Sequence, residues 1–329
     1  EIDTGKLIKA LRHDQLSSAA RQLGAQVAKR MGSVMVLTRL GLGLLDKIHR
    51  LLGTERMAAI TGGLRNLSGK RLPHWTPAMP TAGVTVKPSI FDRRGSDPVV
   101  YFPACINRSM GPANGHGLDP LSRTTASLLE KAGYDIIYPE GMDRLCCGMP
   151  FASKGLSKTA AAKAGELGDA LLKVSDNGRI PILCDMSPCL YHMKETLDNH
   201  LQLFEPIEFT LTYLAPRLTF EKISEPVAIH TVCSAKKMGL EADFRRLAEM
   251  CAEKVATPDV ICCGFAGDRG FTLPELNAFG LRRLKKQLPP EVNTGYSTSR
   301  TCEIGLTTHS GIDYRSILYL VDQCTQPNS

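Results

Sequence analysis

The chain has 329 residues and a mass of 35.8 kDa, which is long enough for two domains or for one large duplicated unit. A hydrophobic content of 43% and a mean hydropathy of -0.10 are typical of an ordinary globular protein. The net charge of +7 comes from the N-terminal quarter, because residues 1–75 carry 13 Lys and Arg against 5 Asp and Glu, whereas the remaining residues carry 27 against 28.

Composition argues against three classes of protein. Eleven cysteines in a chain of this length without a signal peptide indicate thiols in a reducing compartment rather than a secreted disulfide scaffold. The longest apolar stretch, residues 34–45, contains Arg39 and is too short to span a bilayer. The basic segment has one aromatic residue, Trp75, and no recognisable motif, so we expect no nucleic-acid partner. We therefore expect a cytoplasmic protein whose basic surface docks on another protein part or contacts the inner face of the membrane.

Residues 1–68 form the basic segment, and periodic Leu, Ile, Val and Ala predict helices over 5–68. Glycines at Gly32, Gly53 and Gly62-Gly63 predict breaks between these helices. Residues 69–97 lose the helical period and carry four prolines, which predicts a linker or a strap across a surface.

From Pro98 the chain repeats itself with an offset of 128 residues. Cys105 and Met110-Gly111 recur as Cys233 and Met238-Gly239, each time after a Pro-Val pair. The repeat predicts two units, residues 98–225 and 226–329, that share one architecture.

Each unit shows short apolar runs that alternate with helical patterns. Such alternation predicts an α/β fold of two tandem units with mainly parallel sheets, preceded by the N-terminal helical segment. The first unit is predicted to hold strands near 99–102, 135–138 and 180–183 and helices over 120–132 and 156–174. The second is predicted to hold strands near 227–231 and 295–298 and helices over 241–255 and 274–287.

Nine cysteines form two sets, each built around a Cys-Cys-Gly motif. Neighbouring thiolates can face one metal centre if a glycine lets the chain fold tightly around it. Thiolates suit iron–sulfur clusters, zinc or copper(I), and structural zinc usually takes short Cys-x2-4-Cys pairs, so the spacing favours iron–sulfur over zinc. The first set contains Cys105, Cys146, Cys147, Cys184 and Cys189, and the second contains Cys233, Cys262, Cys263 and Cys302.

Other residues near the motifs are given smaller roles. Cys184 ends a β-branched strand and is either a ligand or a neighbour of the ligands. The glycine-rich run over 264–270 is predicted to wrap a cluster and to donate N–H groups to sulfur. Cys251 and Cys324 are predicted to be buried small hydrophobes, and His230 a packing or surface residue.

The residues around the cysteines resemble the cysteine-rich CCG domain, which is duplicated in heterodisulfide reductase, glycolate oxidase and lactate-utilisation iron–sulfur subunits. The chain as a whole is similar to the C-terminal part of fused D-lactate dehydrogenases that contain FAD and iron–sulfur clusters. The stretches that carry the resemblance are Tyr101–Cys105, Leu145–Phe151, Cys184–Cys189, Cys262–Phe271 and Tyr296–Gly305.

The resemblance implies [4Fe–4S] clusters bound by the two cysteine sets. The second set ends in Cys302-Glu-Ile-Gly305 rather than Cys-x-x-Cys, which implies a four-thiolate site there and leaves a non-cubane cluster open for the first set. It also implies upstream FAD and ferredoxin-like parts of the same enzyme, which this chain lacks, and a quinone or cytochrome-type electron acceptor. Two alternatives stay open: thiol–disulfide catalysis as in heterodisulfide reductase, and a zinc-stabilised interaction domain.

Overall fold

The structure is a computed structural model that describes residues 4–86, 97–113 and 117–328. The helices of these ranges are α1 Thr4–Gln15, α2 Ser18–Lys29, α3 Met31–Leu67, α4 Cys105–Ser109, α5 Leu121–Lys131, α6 Met149–Ala152, α7 Ser157–Val174, α8 Ser187–Thr196, α9 Pro206–Phe209, α10 Cys233–Lys237, α11 Glu241–Cys251, α12 Arg269–Thr272, α13 Pro274–Gly280, α14 Leu284–Gln287, α15 Arg300–Ser310 and α16 Ile317–Gln323. The strands are β1 Pro80–Ala82, β2 Asp97–Phe102, β3 Met110–Ala113, β4 Tyr134–Ile137, β5 Ile182–Cys184, β6 Leu203–Phe204, β7 Leu218–Phe220, β8 Val227–Ile229, β9 Val255–Ala256, β10 Thr294–Ser297, β11 Asp313–Ser316 and β12 Thr325–Pro327.

Two four-stranded sheets form the centre of the molecule, and all of their strands run parallel. The first has the order β4-β2-β5-β6 and the second the order β9-β8-β10-β11. The strand β2 is buried from Val99 to Phe102, as expected of a parallel strand covered on both faces. The predicted α/β class with mainly parallel sheets and an N-terminal helical segment is confirmed.

The two units share one hydrophobic core. Leu128 and Leu129 of α5 lie in the same buried cluster as Phe244 of α11 and Ile317 of α16. The chain also crosses back at its end, because β12 pairs antiparallel with β7 of the first unit. Lys131 Nζ reinforces this contact at 2.6 Å from Asp322 Oδ1. This shared core holds the two sheets in a defined relation, while the predicted boundary between residues 225 and 226 stays a prediction.

The N-terminal segment is helical, but only one of its three predicted breaks is confirmed. Gly53 has φ +78° and interrupts α3, whereas Gly32 and Gly62-Gly63 stay within that helix. The chain turns instead at Arg30, between α2 and α3. Glycine weakens a helix but ends it only where the backbone takes a non-helical conformation, so the other predicted breaks were wrong.

Three further predictions of local structure are corrected. The helix expected over 274–287 is two short helices, α13 and α14, because the chain turns at Leu281–Arg283 next to the second Cys-Cys-Gly turn. The helix expected over 241–255 ends at Cys251, and Val255 belongs to β9. The proline-rich stretch contains the strand β1, which pairs with β3. Its residues 87–96, and the Ile2-Asp3 part of the N-terminal resemblance, lie outside the described residues.

A buried carboxyl beneath the first sheet predicts a pH dependence of stability. Glu205 caps α9 by accepting hydrogen bonds from the amides of Ile207 at 2.6 Å and Glu208 at 2.9 Å, and from Ser187 Oγ at 2.7 Å. Burial nevertheless raises the pKa of Glu205 from 4.5 to about 7. An acid with a raised folded-state pKa stabilises the fold fully below its unfolded pKa, and this contribution is lost as pH rises through the folded pKa.

We therefore expect the unfolding free energy of the wild type to fall relative to Glu205→Gln between about pH 4.5 and pH 7. At 1.36 kcal/mol per pKa unit the loss is at most roughly 3 kcal/mol. Urea unfolding of both proteins across this range measures it. Parallel pH profiles would show that Glu205 does not titrate in the folded protein.

Candidate metal centre

The first cysteine set lies at the carboxyl ends of two neighbouring strands. Cys105 opens α4 just after β2, and Cys189 lies in α8 after β5. Cys146 and Cys147 come from the turn that follows β4, and the Sγ atoms of Cys105 and Cys146 lie 3.8 Å apart. Cys147 contacts both Cys146 and Cys189. The structure therefore brings four buried thiols into one continuous group, as α/β sheets do at the edge where their strands end.

Cys184 belongs to the same buried region but not to that chain of thiol contacts. It is the last residue of β5, and its Sγ lies 3.9 Å from the carbonyl oxygen of Met186. Cys105 and Cys147 are close enough to influence it electrostatically. Its position thus leaves Cys184 beside the four grouped thiols, and its role as a ligand stays a prediction.

The second set repeats this arrangement closer to the surface. Cys233 opens α10 after β8, and Cys302 lies in α15 after β10. The Sγ atoms of Cys263 and Cys302 lie 3.0 Å apart, and Cys262 contacts both Cys233 and Cys263. Cys233 and Cys262 are exposed, Cys302 is half-buried and Cys263 is buried. The second set is therefore accessible to solvent, whereas the first is not.

Both Cys-Cys-Gly turns need their glycines. Gly148 and Gly264 have φ of +89° and +70°, and a Cβ atom would lie 2.4 Å from the carbonyl oxygen of Ala160 or 2.6 Å from that of Leu276. In this conformation the amide of Gly148 lies 3.5 Å from Cys146 Sγ, and that of Gly264 lies 3.4 Å from Cys262 Sγ. The predicted donation of backbone N–H groups to sulfur is thus confirmed at the second motif and recurs at the first.

Without a cation, the first set holds its thiols in the neutral form. Burial raises the pKa of Cys189 to about 12 against the opposing hydrogen bond with Cys147. The pKa of Cys105 is also raised, by its hydrogen bond with Cys146 and by burial. In the second set, hydrogen bonds with Cys233 and Cys263 lower the pKa of Cys262. A metal bound here must displace these protons, so its affinity depends on pH.

A buried arginine supports the first set. Arg108 is fully buried and donates to the carbonyl oxygens of Pro103 at 3.0 Å, Leu145 at 2.7 Å and Met142. It thereby ties the helix that begins at Cys105 to the turn that precedes Cys146. Its positive charge also favours the thiolate form of Cys105. An offset of 128 residues places Lys236 at this position of the second unit, where it is partly exposed and pairs with Glu241 at 3.3 Å.

Buried polar atoms without a partner surround the second set, and sequence reasoning missed them. Among the described residues these atoms include His230 Nε2, Ser297 Oγ and Ser299 Oγ. His230 is 4% exposed and lies close enough to Cys262 to influence it, while burial lowers the pKa of His230 to about 4. The repeat offset pairs His230 with Phe102, and this replacement of an apolar by a polar residue at a strand end was the available signal. Buried polar atoms without partners indicate a bound group, which fits a cofactor at this set.

Both sets open into one cavity of about 470 Å³ between the two units. Much of its wall is apolar and includes Met110, Met149 and Met186. Lys154 of the first unit and Asp268 of the second form an ion pair beside it, with Nζ and Oδ2 2.5 Å apart. The cysteines that line the cavity are Cys105, Cys189, Cys233, Cys262, Cys263 and Cys302. This arrangement combines thiol ligands, amide donors and free space, and therefore fits iron–sulfur clusters.

Two further findings concern metal binding and the remaining cysteines. Within the described residues, no three His, Cys, Asp or Glu side chains converge closely enough to hold one metal ion. Cys251 and Cys324 are buried, as predicted, and their thiols contact each other away from the cavity. These two cysteines therefore provide controls for experiments on the other nine.

The family model of the cysteine-rich domain CCG matches residues 99–194, which run from β2 to α8. The chain thus contains a CCG domain, commonly a metal-binding or iron–sulfur module and often found in oxidoreductase subunits. A comparison with curated proteins found no match.

Proposed function

We propose that this chain is the iron–sulfur electron-transfer module of a flavin-dependent D-2-hydroxy acid dehydrogenase, with D-lactate as the expected substrate. The observation that carries the proposal is the pair of related cysteine sets that open into one cavity. Iron–sulfur clusters supply one-electron transfer at potentials set by hydrogen bonds to sulfur and by nearby charge. The residues that would hold them are Cys105, Cys146, Cys147 and Cys189 at the first site and Cys233, Cys262, Cys263 and Cys302 at the second.

The different exposure of the two sets supports a path for electrons. Electron transfer between proteins is favoured where a redox centre lies near the surface, and Cys233 and Cys262 are exposed. The second site would therefore exchange electrons with the ferredoxin-like and flavin parts of the same enzyme or with a quinone or cytochrome-type acceptor. The buried first site, with Cys184 as a fifth thiol beside it, would hold either a cubane or a non-cubane cluster.

Anaerobic reconstitution followed by iron, sulfide and zinc analysis tests this proposal. Two four-iron clusters would give about eight irons per chain. We expect Cys262→Ala to retain about half of the iron, and Cys251→Ala, whose side chain lies away from the cavity, to retain all of it. Electron paramagnetic resonance of the reduced protein should lose one signal in Cys262→Ala. Stoichiometric zinc without iron after reconstitution would instead support the zinc-stabilised interaction domain.

A second candidate function is thiol–disulfide catalysis at a non-cubane cluster. The cavity favours it, because both cysteine sets face one apolar space that could admit a small disulfide. Reduction of small disulfides by an artificial low-potential donor would distinguish the two candidates. An absence of turnover with intact clusters would count against catalysis and leave electron transfer as the function.

A further inference from the structure

The outward side of α3 carries a line of leucines. Leu37, Leu40, Leu44 and Leu51, here called the leucine stripe, are between 60% and 83% exposed. Their spacing of three, four and seven residues places them on one side of the helix. Most exposed hydrophobic residues of a protein are scattered singly, so a continuous line of four indicates a surface that is covered when the protein functions.

The opposite side of the same helix is already occupied. Met31, Met35 and Met57 are buried, and α3 packs on β1 and α4. The helix is therefore apolar on both sides, which is typical of helices in a protein core or at a membrane. After the interruption at Gly53, Ile60 and Leu64 again expose apolar side chains.

Charge decides what kind of surface covers the stripe. Residues 18–71 carry ten Lys and Arg against two Asp and Glu. Lys47 lies between Leu44 and Leu51 and is exposed, as are Arg50 and Arg56. A second copy of this chain would bring like charge against like charge, which disfavours self-association through this face. A basic helix with exposed leucines is instead complementary to an anionic lipid surface.

We propose that the first half of α3 binds the surface of an anionic lipid bilayer through the leucine stripe. The leucines enter the boundary between headgroups and acyl chains, and Lys47 and Arg50 remain at the level of the lipid phosphates. No helix in the described part of the chain has the length and apolarity needed to cross a bilayer. The helix therefore lies on the membrane rather than spanning it, and the proposal does not depend on the identity of the cofactor.

Sedimentation of the 329-residue chain with vesicles tests the proposal. We expect binding to phosphatidylcholine vesicles that contain about one third phosphatidylglycerol, and at least about tenfold weaker binding to phosphatidylcholine alone. High salt should weaken it, because salt screens the attraction between lysine and phosphate groups.

Two variants with matched controls separate the apolar and the electrostatic contributions. The triple variant Leu37→Gln, Leu40→Gln, Leu44→Gln should bind at least about tenfold more weakly. The control Leu273→Gln, Leu276→Gln, Phe279→Gln changes three exposed apolar residues of the second unit and should bind like the wild type. Lys47→Glu, Arg56→Glu should lose binding as well, whereas Lys222→Glu, Lys254→Glu should retain it.

Three results would overturn the proposal. Wild-type protein that binds anionic vesicles no better than neutral ones would remove its basis, and so would equal binding by the leucine-stripe variant. A dimer that light scattering detects in the wild type and not in that variant would show that a second copy covers the stripe. Circular dichroism verifies that the variants are folded, since all of the replaced side chains are exposed.

Discussion

Replacing Arg108 by methionine should lower the free energy of unfolding by about 3 kcal/mol or more. The methionine fills most of the same volume but leaves the carbonyl oxygens of Pro103, Met142 and Leu145 without their donor. Each buried polar group that loses its partner costs about 1–3 kcal/mol. Because two of these carbonyls belong to the turn before Cys146, we also expect the first site to lose its iron selectively. Urea unfolding of the metal-free protein and iron analysis after reconstitution measure the two effects.

The repeat supplies a control for Arg108→Met. Lys236 occupies the equivalent position of the second unit, but it is partly exposed and forms an ion pair with Glu241. Exposed ion pairs contribute about 0–1 kcal/mol, so Lys236→Met should change stability little. Arg108→Lys retains the charge but cannot donate to three divergent carbonyls, and its stability should lie between those of wild type and Arg108→Met. Equal stability of Arg108→Met and Lys236→Met would contradict the role assigned to the buried guanidinium.

Replacing Gly148 by alanine should destabilise the first site as strongly. An alanine at φ +89° costs about 1–2 kcal/mol, and its Cβ would also lie 2.4 Å from the carbonyl oxygen of Ala160. The turn must therefore open, which moves the thiols of Cys146 and Cys147. We expect a total loss of about 3 kcal/mol in unfolding free energy and of about half of the iron after reconstitution.

Two other glycines separate the causes of this effect. Gly133 has φ +78°, but a Cβ atom at this position would have no neighbour within 4 Å, so Gly133→Ala should show only the conformational cost of about 1–2 kcal/mol and keep its iron. Gly165 lies within α7, also in open space, and Gly165→Ala should stabilise the helix by about 0.5–1 kcal/mol. If Gly148→Ala behaves like Gly133→Ala, the close approach to Ala160 does not constrain the turn.

Local patterns predicted much of the fold, and their failures have identifiable causes. The apolar run over 99–102 became β2 because short β-branched and aromatic runs suit a buried parallel strand. The helix expected over 274–287 divided instead, since a Cβ atom at Gly280 would lie only 3.2 Å from the carbonyl oxygen of Cys262. That contact joins residues 18 positions apart, and helical periodicity contains no information about it.

The sequence by itself determined the duplicated α/β architecture, the two cysteine sets and the glycines of their turns. These features depend on short-range patterns and on the recurrence of the same spacing after 128 residues. Tertiary structure decided that Cys105 and Cys233 open into the same cavity, that Arg108 is buried while Lys236 is not, and that the leucine stripe faces outward. Each of these depends on how distant elements pack in a shared core, because periodicity identifies an apolar helix side but not what covers it.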